Sequence, residues 1–182
     1  MSGERPTRLP PLTIRPATRD DIPLVLEFIR GLAEYEHLSH LVAATEDALT
    51  EEMFGPRSVI EVLLGFAGET PAAFAVFFHN FSTFLGRRGL YLEDLFVKPE
   101  LRGRGYGKAM LLAVARIAHA RGCGRFEWMA LDWNTPAIEF YKRLGAQEMP
   151  EWRLLRVTGD ALARMAAIDL EGEQSAALRW AR

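Results

Sequence analysis

The chain has 182 residues, of which 49% are hydrophobic and 25% charged, ordinary values for a soluble globular domain with a full core. A net charge of −2 and a pI of about 6.1 exclude nucleic-acid binding through bulk charge. No apolar run approaches the ~20 residues of a membrane span and no signal-peptide core opens the chain. The one cysteine, Cys123, cannot close an intramolecular disulfide. A cytoplasmic protein with no membrane or nucleic-acid partner is expected.

In chain order, residues 1–11 have the composition of a disordered segment, 12–170 of one domain and 171–182 of a tail. Residues 12–15 read as a strand stopped by Pro16. Thr18 or Asp20 can cap a helix whose Ile22, Val25, Leu26, Phe28, Ile29 and Leu32 form one apolar stripe, ending at Glu34-Tyr35-Glu36. Residues 45–54 read as a second helix, capped by Thr45 and stopped at Gly55-Pro56. Apolar runs over 59–66 and 72–79 flank the hairpin signal Gly68-Glu69-Thr70-Pro71. A loop over 80–88 precedes a strand over 89–97 that carries adjacent carboxylates, Glu93 and Asp94. A helix over 104–121 aligns Met110, Leu111, Val114, Ile117 and Ala118 and stops at Gly122 and Gly124. There follow a strand over 125–131, a loop at Asp132-Trp133-Asn134-Thr135-Pro136, a helix to Leu144, a last strand over 152–157 and a closing helix over 160–168. The helical crossover between the strands at Tyr91 and Phe126 makes them a parallel pair in a mixed α/β sheet.

The most informative stretch joins that strand to the helix: Arg102-Gly103-Arg104-Gly105-Tyr106-Gly107. Alternate glycines let the backbone turn tightly with its N–H groups unshielded. The helix start adds unpaired donors and the positive end of its dipole. Such a strand–loop–helix is built to hold an anion, most often a phosphate. It is not a Walker A loop, because Arg102 stands where the first glycine belongs and Lys108 is followed by Ala109. It is not a dinucleotide fingerprint, because Lys108 fills the third glycine slot.

The pattern that does stand here, V-x-P-x-x-R-G-x-G-x-G from Val97 to Gly107, resembles the acetyl-CoA pyrophosphate loop of the GNAT N-acetyltransferases. The likeness continues through Trp133-Asn134-Thr135-Pro136-Ala137 and Phe140-Tyr141-Lys142-Arg143-Leu144-Gly145-Ala146. Leu32-Ala33-Glu34-Tyr35-Glu36, Tyr91-Leu92-Glu93-Asp94 and Trp152-Arg153-Leu154 are most similar to the spermidine/spermine (diamine) and thialysine branch. The resemblance implies an α/β (α+β) GNAT fold, a mixed central sheet flanked by helices in which a splayed parallel strand pair holds acetyl-CoA. It implies direct acetyl transfer to a primary amine of a small cationic acceptor: a polyamine, a diamine or a thialysine- or lysine-like amino acid. No metal is implied, and members of the branch are homodimers that often exchange C-terminal strands. Carried over by position, Arg102, Gly103, Arg104, Gly105, Tyr106, Gly107 and Lys108 would hold the pyrophosphate, and the backbone of Leu95, Phe96 and Val97 would pair with the pantetheine arm. Asn134, Ala137, Phe140, Tyr141 and Arg143 complete the cofactor set. Asp94, Glu34, Glu36 and Trp152 would bind the acceptor amine.

The chemistry calls for two proton carriers. A phenol with pKa near ~10 keeps its proton at neutral pH and can protonate a leaving thiolate whose thiol lies near ~8.5. Tyr141 stands where the family places that acid; the other reading is core packing beside Phe140. An alkyl amine near ~10.4 must lose its proton, which at pH 7 costs roughly 3.4 pKa units or ~4.6 kcal/mol. Glu93 is assigned as the base, acting through water, and Asp94 as the amine-binding carboxylate. In a regular strand the two face opposite sides unless a bulge intervenes. An ion pair with Arg87 or Arg88 is the structural alternative, and N-capping is the alternative for Asn134. Gly31 and the basic Arg87-Arg88 pair depart from the polyamine enzymes, leaving a small amino-acid-like or diamine acceptor open. The rival functions are a non-catalytic acyl-CoA-binding sensor and an acetyltransferase for protein lysines or antibiotic amines; Glu93 and Tyr141 favour the amine acetyltransferase. His37, His40, His79 and His119 share no metal-binding spacing, and Cys123 reads as structural.

Overall fold

The computed structural model describes residues 10–168. The apolar runs become strands β1 (Leu12–Pro16), β2 (Glu61–Ala67), β3 (Thr70–Ser82), β4 (Arg87–Val97) and β5 (Phe126–Trp128). They form one sheet in the order β1-β2-β3-β4-β5. Neighbours from β1 to β4 run antiparallel, while β4 and β5 run parallel. The helices are α1 (Ile22–Tyr35), α2 (Glu46–Phe54), α3 (Tyr106–Ala120), α4 (Thr135–Arg143) and α5 (Gly159–Ala166). The parallel junction follows from its connection: α3 carries the chain across the sheet, which a tight turn cannot do.

The apolar stripe of α1 packs on one face of the sheet. Phe28 stacks on Phe74 of β3 with centroids 5.2 Å apart, and Phe96 of β4 meets both rings edge-on at 6.4 and 6.5 Å. All three rings are buried, each contributing ~1.5–3 kcal/mol of hydrophobic stabilisation. Gly31 makes room for this packing, since a Cβ there would lie 3.2 Å from the Phe96 ring.

The entry to α1 is fixed by charge. Arg15 donates to both carboxylate oxygens of Asp21 at 2.7 and 2.8 Å, and the Thr18 N–H and hydroxyl donate to Asp21 Oδ2 at 2.7 and 2.8 Å. Thr18 therefore caps a short 3-10 turn (Arg19–Asp21) that leads into α1, and neither Thr18 nor Asp20 caps the α-helix itself. Thr45 caps α2 as expected, accepting the Ala48 N–H at 3.2 Å.

Four boundaries differ from the sequence reading. The expected loop over 80–88 is largely a hairpin, because Asn80, Phe81 and Ser82 pair with Gly89, Arg88 and Arg87; ladder hydrogen bonds outweigh the lack of an apolar pattern there. β5 has three residues where seven were expected. α3 begins at Tyr106 because Gly105 has φ +80°, a left-handed conformation that cannot continue a helix. The expected strand over 152–157 is not formed: these residues are exposed and pair with no strand among the described residues, so their alternating apolar side chains have no sheet to join. The expected disordered segment and tail fall, apart from Pro10 and Pro11, outside the described residues. The chain divides into two compact units, one up to Leu131 and one from Asp132 onward.

The Arg15 guanidinium and the Thr18 donors hold the Asp21 carboxyl well below the usual carboxylate range against the opposing effect of burial. A depressed folded-state pKa stabilises the protein above the unfolded value of ~3.9, and that stability is lost as pH falls through the folded pKa. Asp21→Asn should therefore lower stability at pH 7 by ~1–2 kcal/mol, and the deficit should narrow as pH drops below ~4 in urea unfolding series.

Candidate active site

The turn after β4 is shaped by its glycines. Gly103 and Gly105 have φ of +73° and +80°, and a Cβ on either would touch nothing. Glycine is needed there for backbone conformation and not for space. Leu101 and Arg102 spend their N–H groups on Lys98 O and Pro99 O, while Ala109 N–H bonds Gly105 O at 3.0 Å. The N–H groups of the opening turn of α3 have no acceptor within the helix. Arg104 and Lys108 are exposed beside them. The turn thus presents unpaired N–H donors and two cationic side chains together, the chemistry that suits an anion.

Two of its side chains point elsewhere. Tyr106 is buried and its hydroxyl donates to Pro10 O at 3.0 Å, tying the start of α3 to the start of β1. Only its backbone N–H is left for an anion. Arg102 turns back over β4: its guanidinium lies 4.0 Å from the Tyr35 ring centroid and 5.4 Å from that of Phe96, and its Nε donates to Val97 O at 3.0 Å.

Beside the turn the sheet opens. β5 pairs only with Leu90, Tyr91 and Leu92 and ends at Trp128. From Glu93 to Val97, β4 keeps β3 on one side and has no strand on the other among the described residues. The bond from Lys98 N to Ala72 O sets the alternation, so Phe96 turns its backbone groups to β3 while Leu95 and Val97 present theirs at the open edge. An open edge ending in an anion cradle fits an extended amide arm joined to a diphosphate, the shape of the pantetheine and pyrophosphate of acetyl-CoA.

The carboxylates sit where the strands part. Against β3, Asp94 is opposite Val76 and Leu92 opposite Phe77, so Glu93 is the extra residue of a β-bulge. The bulge reverses the alternation of β4. Phe74 and Val76 belong to the cluster packed on α1, and their partners Phe96 and Asp94 therefore face α1. Glu93 is exposed, Asp94 half-buried. Glu36, at the C-terminal end of α1, faces the same place. Burial, followed by the charges of Glu93 and Glu36, pushes the Asp94 carboxyl up to about 6. Burial also raises Glu36. Among the described residues, neither Glu93 nor Asp94 forms an ion pair with Arg87 or Arg88.

Glu34 is not part of this group. It lines a cleft of about 980 Å³ with Glu27, Gly31, Tyr35, Phe96 and Lys98, in which Lys98 is bound to Glu27 at 2.8 Å. Tyr35, absent from the expected site residues, is the ring on which Arg102 rests; its only signal in the sequence was its place between two glutamates.

In the second unit, Asn134 caps α4 through its backbone: its carbonyl accepts the Ala137 and Ile138 N–H groups at 3.0 and 3.1 Å, while its side-chain amide makes no capping bond. Ala137, Phe140, Tyr141 and Arg143 lie on α4. The Phe140 and Tyr141 rings are 5.3 Å apart at 54°, and Tyr141 is only partly buried. Trp152 lies on the irregular segment beyond and is 69% exposed. Of the remaining candidates, His79 is satisfied: its Nδ1 donates to Gly89 O at 3.1 Å, and Arg121 approaches Nε2 at 3.1 Å. Among the described residues no group of histidines, cysteines and carboxylates is arranged to hold a metal ion, and no helix is long and apolar enough to cross a membrane.

Comparisons with known proteins agree with this geometry. The acetyltransferase (GNAT) family matches residues 26–146. A thialysine N-epsilon-acetyltransferase of Sus scrofa is 37% identical over 84% of this chain and 96% of its own. An L-ornithine N5-acetyltransferase of Arabidopsis thaliana is 33% identical over 86% of this chain and 89% of its own. Among solved structures, an integron cassette protein from the mobile metagenome of V. cholerae superposes with a TM-score of 0.72 at 28% identity, covering 86% of this chain and 98% of that one. The chain belongs to the acetyltransferase (GNAT) family, and the protein is an N-acetyltransferase. The family uses acetyl-CoA as its cosubstrate.

The raised Asp94 carboxyl has a consequence for stability. Its folded-state pKa lies above the unfolded ~3.9, so ionising it opposes folding; that cost is absent below ~4 and complete above about 6. Asp94→Asn should raise stability at pH 7.5 by up to ~3 kcal/mol, and the gain should disappear below about pH 4 in denaturant titrations.

Proposed function

We propose that this enzyme transfers acetyl directly from acetyl-CoA to the terminal primary amine of a small cationic acceptor, with basic amino acids of the ornithine and thialysine kind foremost and diamines and polyamines next. The observation that carries this reading is the group of three carboxylates, Glu36, Glu93 and Asp94, at the point where β4 and β5 part. Negative charge at that point selects an ammonium, and carboxylates are the groups that can remove its proton. The names of the two amino-acid acetyltransferases among its relatives support the acceptor class.

Each residue has a defined task. The N–H groups from Gly103 to Lys108, with the Arg104 and Lys108 side chains, bind the pyrophosphate. The open edge at Leu95 and Val97 pairs with the pantetheine arm, and the unbonded side-chain amide of Asn134 bonds the same arm. Phe140, Ala137 and Arg143 complete that surface. The bound cosubstrate supplies an acetyl thioester. Asp94 holds the ammonium, with Glu36 adding negative charge beside it, Glu93 serves as the base reached through water, and Tyr141 gives its phenol proton to the departing sulfur. Glu34 and Trp152 lie farther out on the acceptor's path. One acetyltransferase domain spans residues 12–170, working in a reducing cytoplasm as a homodimer; the exposure of Leu154 and Leu155, at 64% and 89%, supports a partner for the 152–157 segment.

The test is acetylation of a panel of thialysine, ornithine, lysine, putrescine, spermidine and an aminoglycoside, read as free CoA thiol. Thialysine or ornithine should react with the highest kcat/KM. Tyr141→Phe should lose ~10²–10⁴-fold in kcat. Turnover of no amine, with acetyl-CoA still bound, would favour the sensor, and a normal kcat in Tyr141→Phe would remove Tyr141 from the chemistry.

A further inference from the structure

The two carboxylates of β4 differ in placement in a way that assigns an order to the proton's path. The bulge leaves Glu93 exposed and turns Asp94 inward toward α1, opposite Val76, beside the aromatic cluster of Phe28, Phe74 and Phe96. An ammonium entering between the parted strands meets Asp94 on the sheltered side and Glu93 on the wet side. We propose that Asp94 is the first acceptor of the amine's proton, that Glu36 tunes Asp94 for this step, and that Glu93 passes the proton through water to solvent.

This rests on the acetyltransferase reading above and supplies the missing part of its water-mediated base. The step balances. The ammonium gives one proton to an Asp94 carboxylate oxygen, which passes it through Glu93 and water to solvent, and the freed lone pair forms the C–N bond. The nitrogen, now positive, gives its second proton to the reset Asp94 as the tetrahedral intermediate collapses. The C–S bond breaks, the sulfur takes its proton from Tyr141, and the phenolate regains one from solvent, so that ammonium and thioester yield amide, thiol and one released proton.

The charged groups around Asp94 define the tuning. From α1 comes Glu36, at the helix C-terminus, where the backbone carbonyls add further negative potential. From β4 itself comes Glu93. The facing residue of β3 is the uncharged Val76. Arg102 is engaged over Tyr35 and Phe96, and among the described residues Glu93 and then Glu36 act on Asp94 as charges. Two negative neighbours and burial make Asp94 a stronger base than an ordinary carboxylate while leaving it mostly ionised at pH 7. Every pKa unit gained makes its acceptance of the amine's proton tenfold less uphill. Glu36 acts through Asp94 and is a positioning residue in this scheme.

Two readouts test it. The pH dependence of kcat/KM for thialysine should show an acid limb with a midpoint near 6, and carbon-13 NMR of labelled aspartate carboxyls should show Asp94 titrating at the same midpoint. Glu36→Gln should move both midpoints toward lower pH. Asp94→Asn should lose ~10²–10⁴-fold in kcat together with the acid limb, and Asp94→Glu should restore part of both. An increase in thialysine KM in Glu36→Gln with neither midpoint moved, or an acid limb that persists in Asp94→Asn, would overturn the proposal. If the wild type acetylates none of the amines, the functional reading fails instead, and the carboxyl titration alone still decides whether Glu36 tunes Asp94.

Discussion

One extra residue in β4 governs the rest. Because side chains alternate across a strand, inserting Glu93 into the β3–β4 ladder changes the face of every residue after it. Before the bulge, Leu90 and Leu92 pair with His79 and Phe77, on the face away from the α1 cluster. After it, Asp94 and Phe96 face α1. Without the bulge, Phe96 would leave its edge-on contacts with Phe28 and Phe74, and Asp94 would leave Glu36. The bulge also falls where β5 stops pairing, so beyond Leu92 one edge of β4 has no strand beside it among the described residues. Hydrophobic packing and the acidic group thus depend on the same register shift.

The arrangement trades stability for function. Phe28, Phe74 and Phe96 stabilise the junction of α1 and the sheet by several kcal/mol of apolar burial, ~1.5–3 for each ring. Against this stands a half-buried carboxylate with two negative neighbours and, among the described residues, no ion pair. The contrast with Asp21 is instructive. That carboxylate has a bidentate arginine and two Thr18 donors, and it supports the fold. Asp94 receives none of these, and an amine acceptor would supply the missing positive charge.

The glycine turn before α3 is built by the opposite strategy, from backbone alone. Gly103 and Gly105 adopt left-handed conformations, and Tyr106, buried and bonded to Pro10, anchors the start of α3 so that its N–H groups keep a fixed direction. Arg102 points away from this turn, lying over the Tyr35 ring and donating to the Val97 carbonyl at the open edge. Gly31 serves a different purpose, the close approach of Phe96. Two kinds of glycine use are therefore present, and neither can be exchanged for the other.

Much of this was written in the chain itself. The apolar periods placed most of the strands and helices, and the glycine turn between strand and helix carried the resemblance to the GNAT family, because these signals are local and each residue carries its own propensity. The tertiary structure decided what depends on residues distant in sequence. Whether Glu93 and Asp94 face opposite sides rested on pairing with β3, which no local pattern encodes. The approach of Glu36 to Asp94 rested on where α1 ends over the sheet, and the folding back of Arg102 on the ring of Tyr35 that α1 brings to it. The hairpin at 80–89 formed where the pattern read as loop, since ladder bonds require only a partner. The segment 152–157, with a strand's alternation but no neighbouring strand among the described residues, formed none, because a strand is stabilised by the sheet it joins.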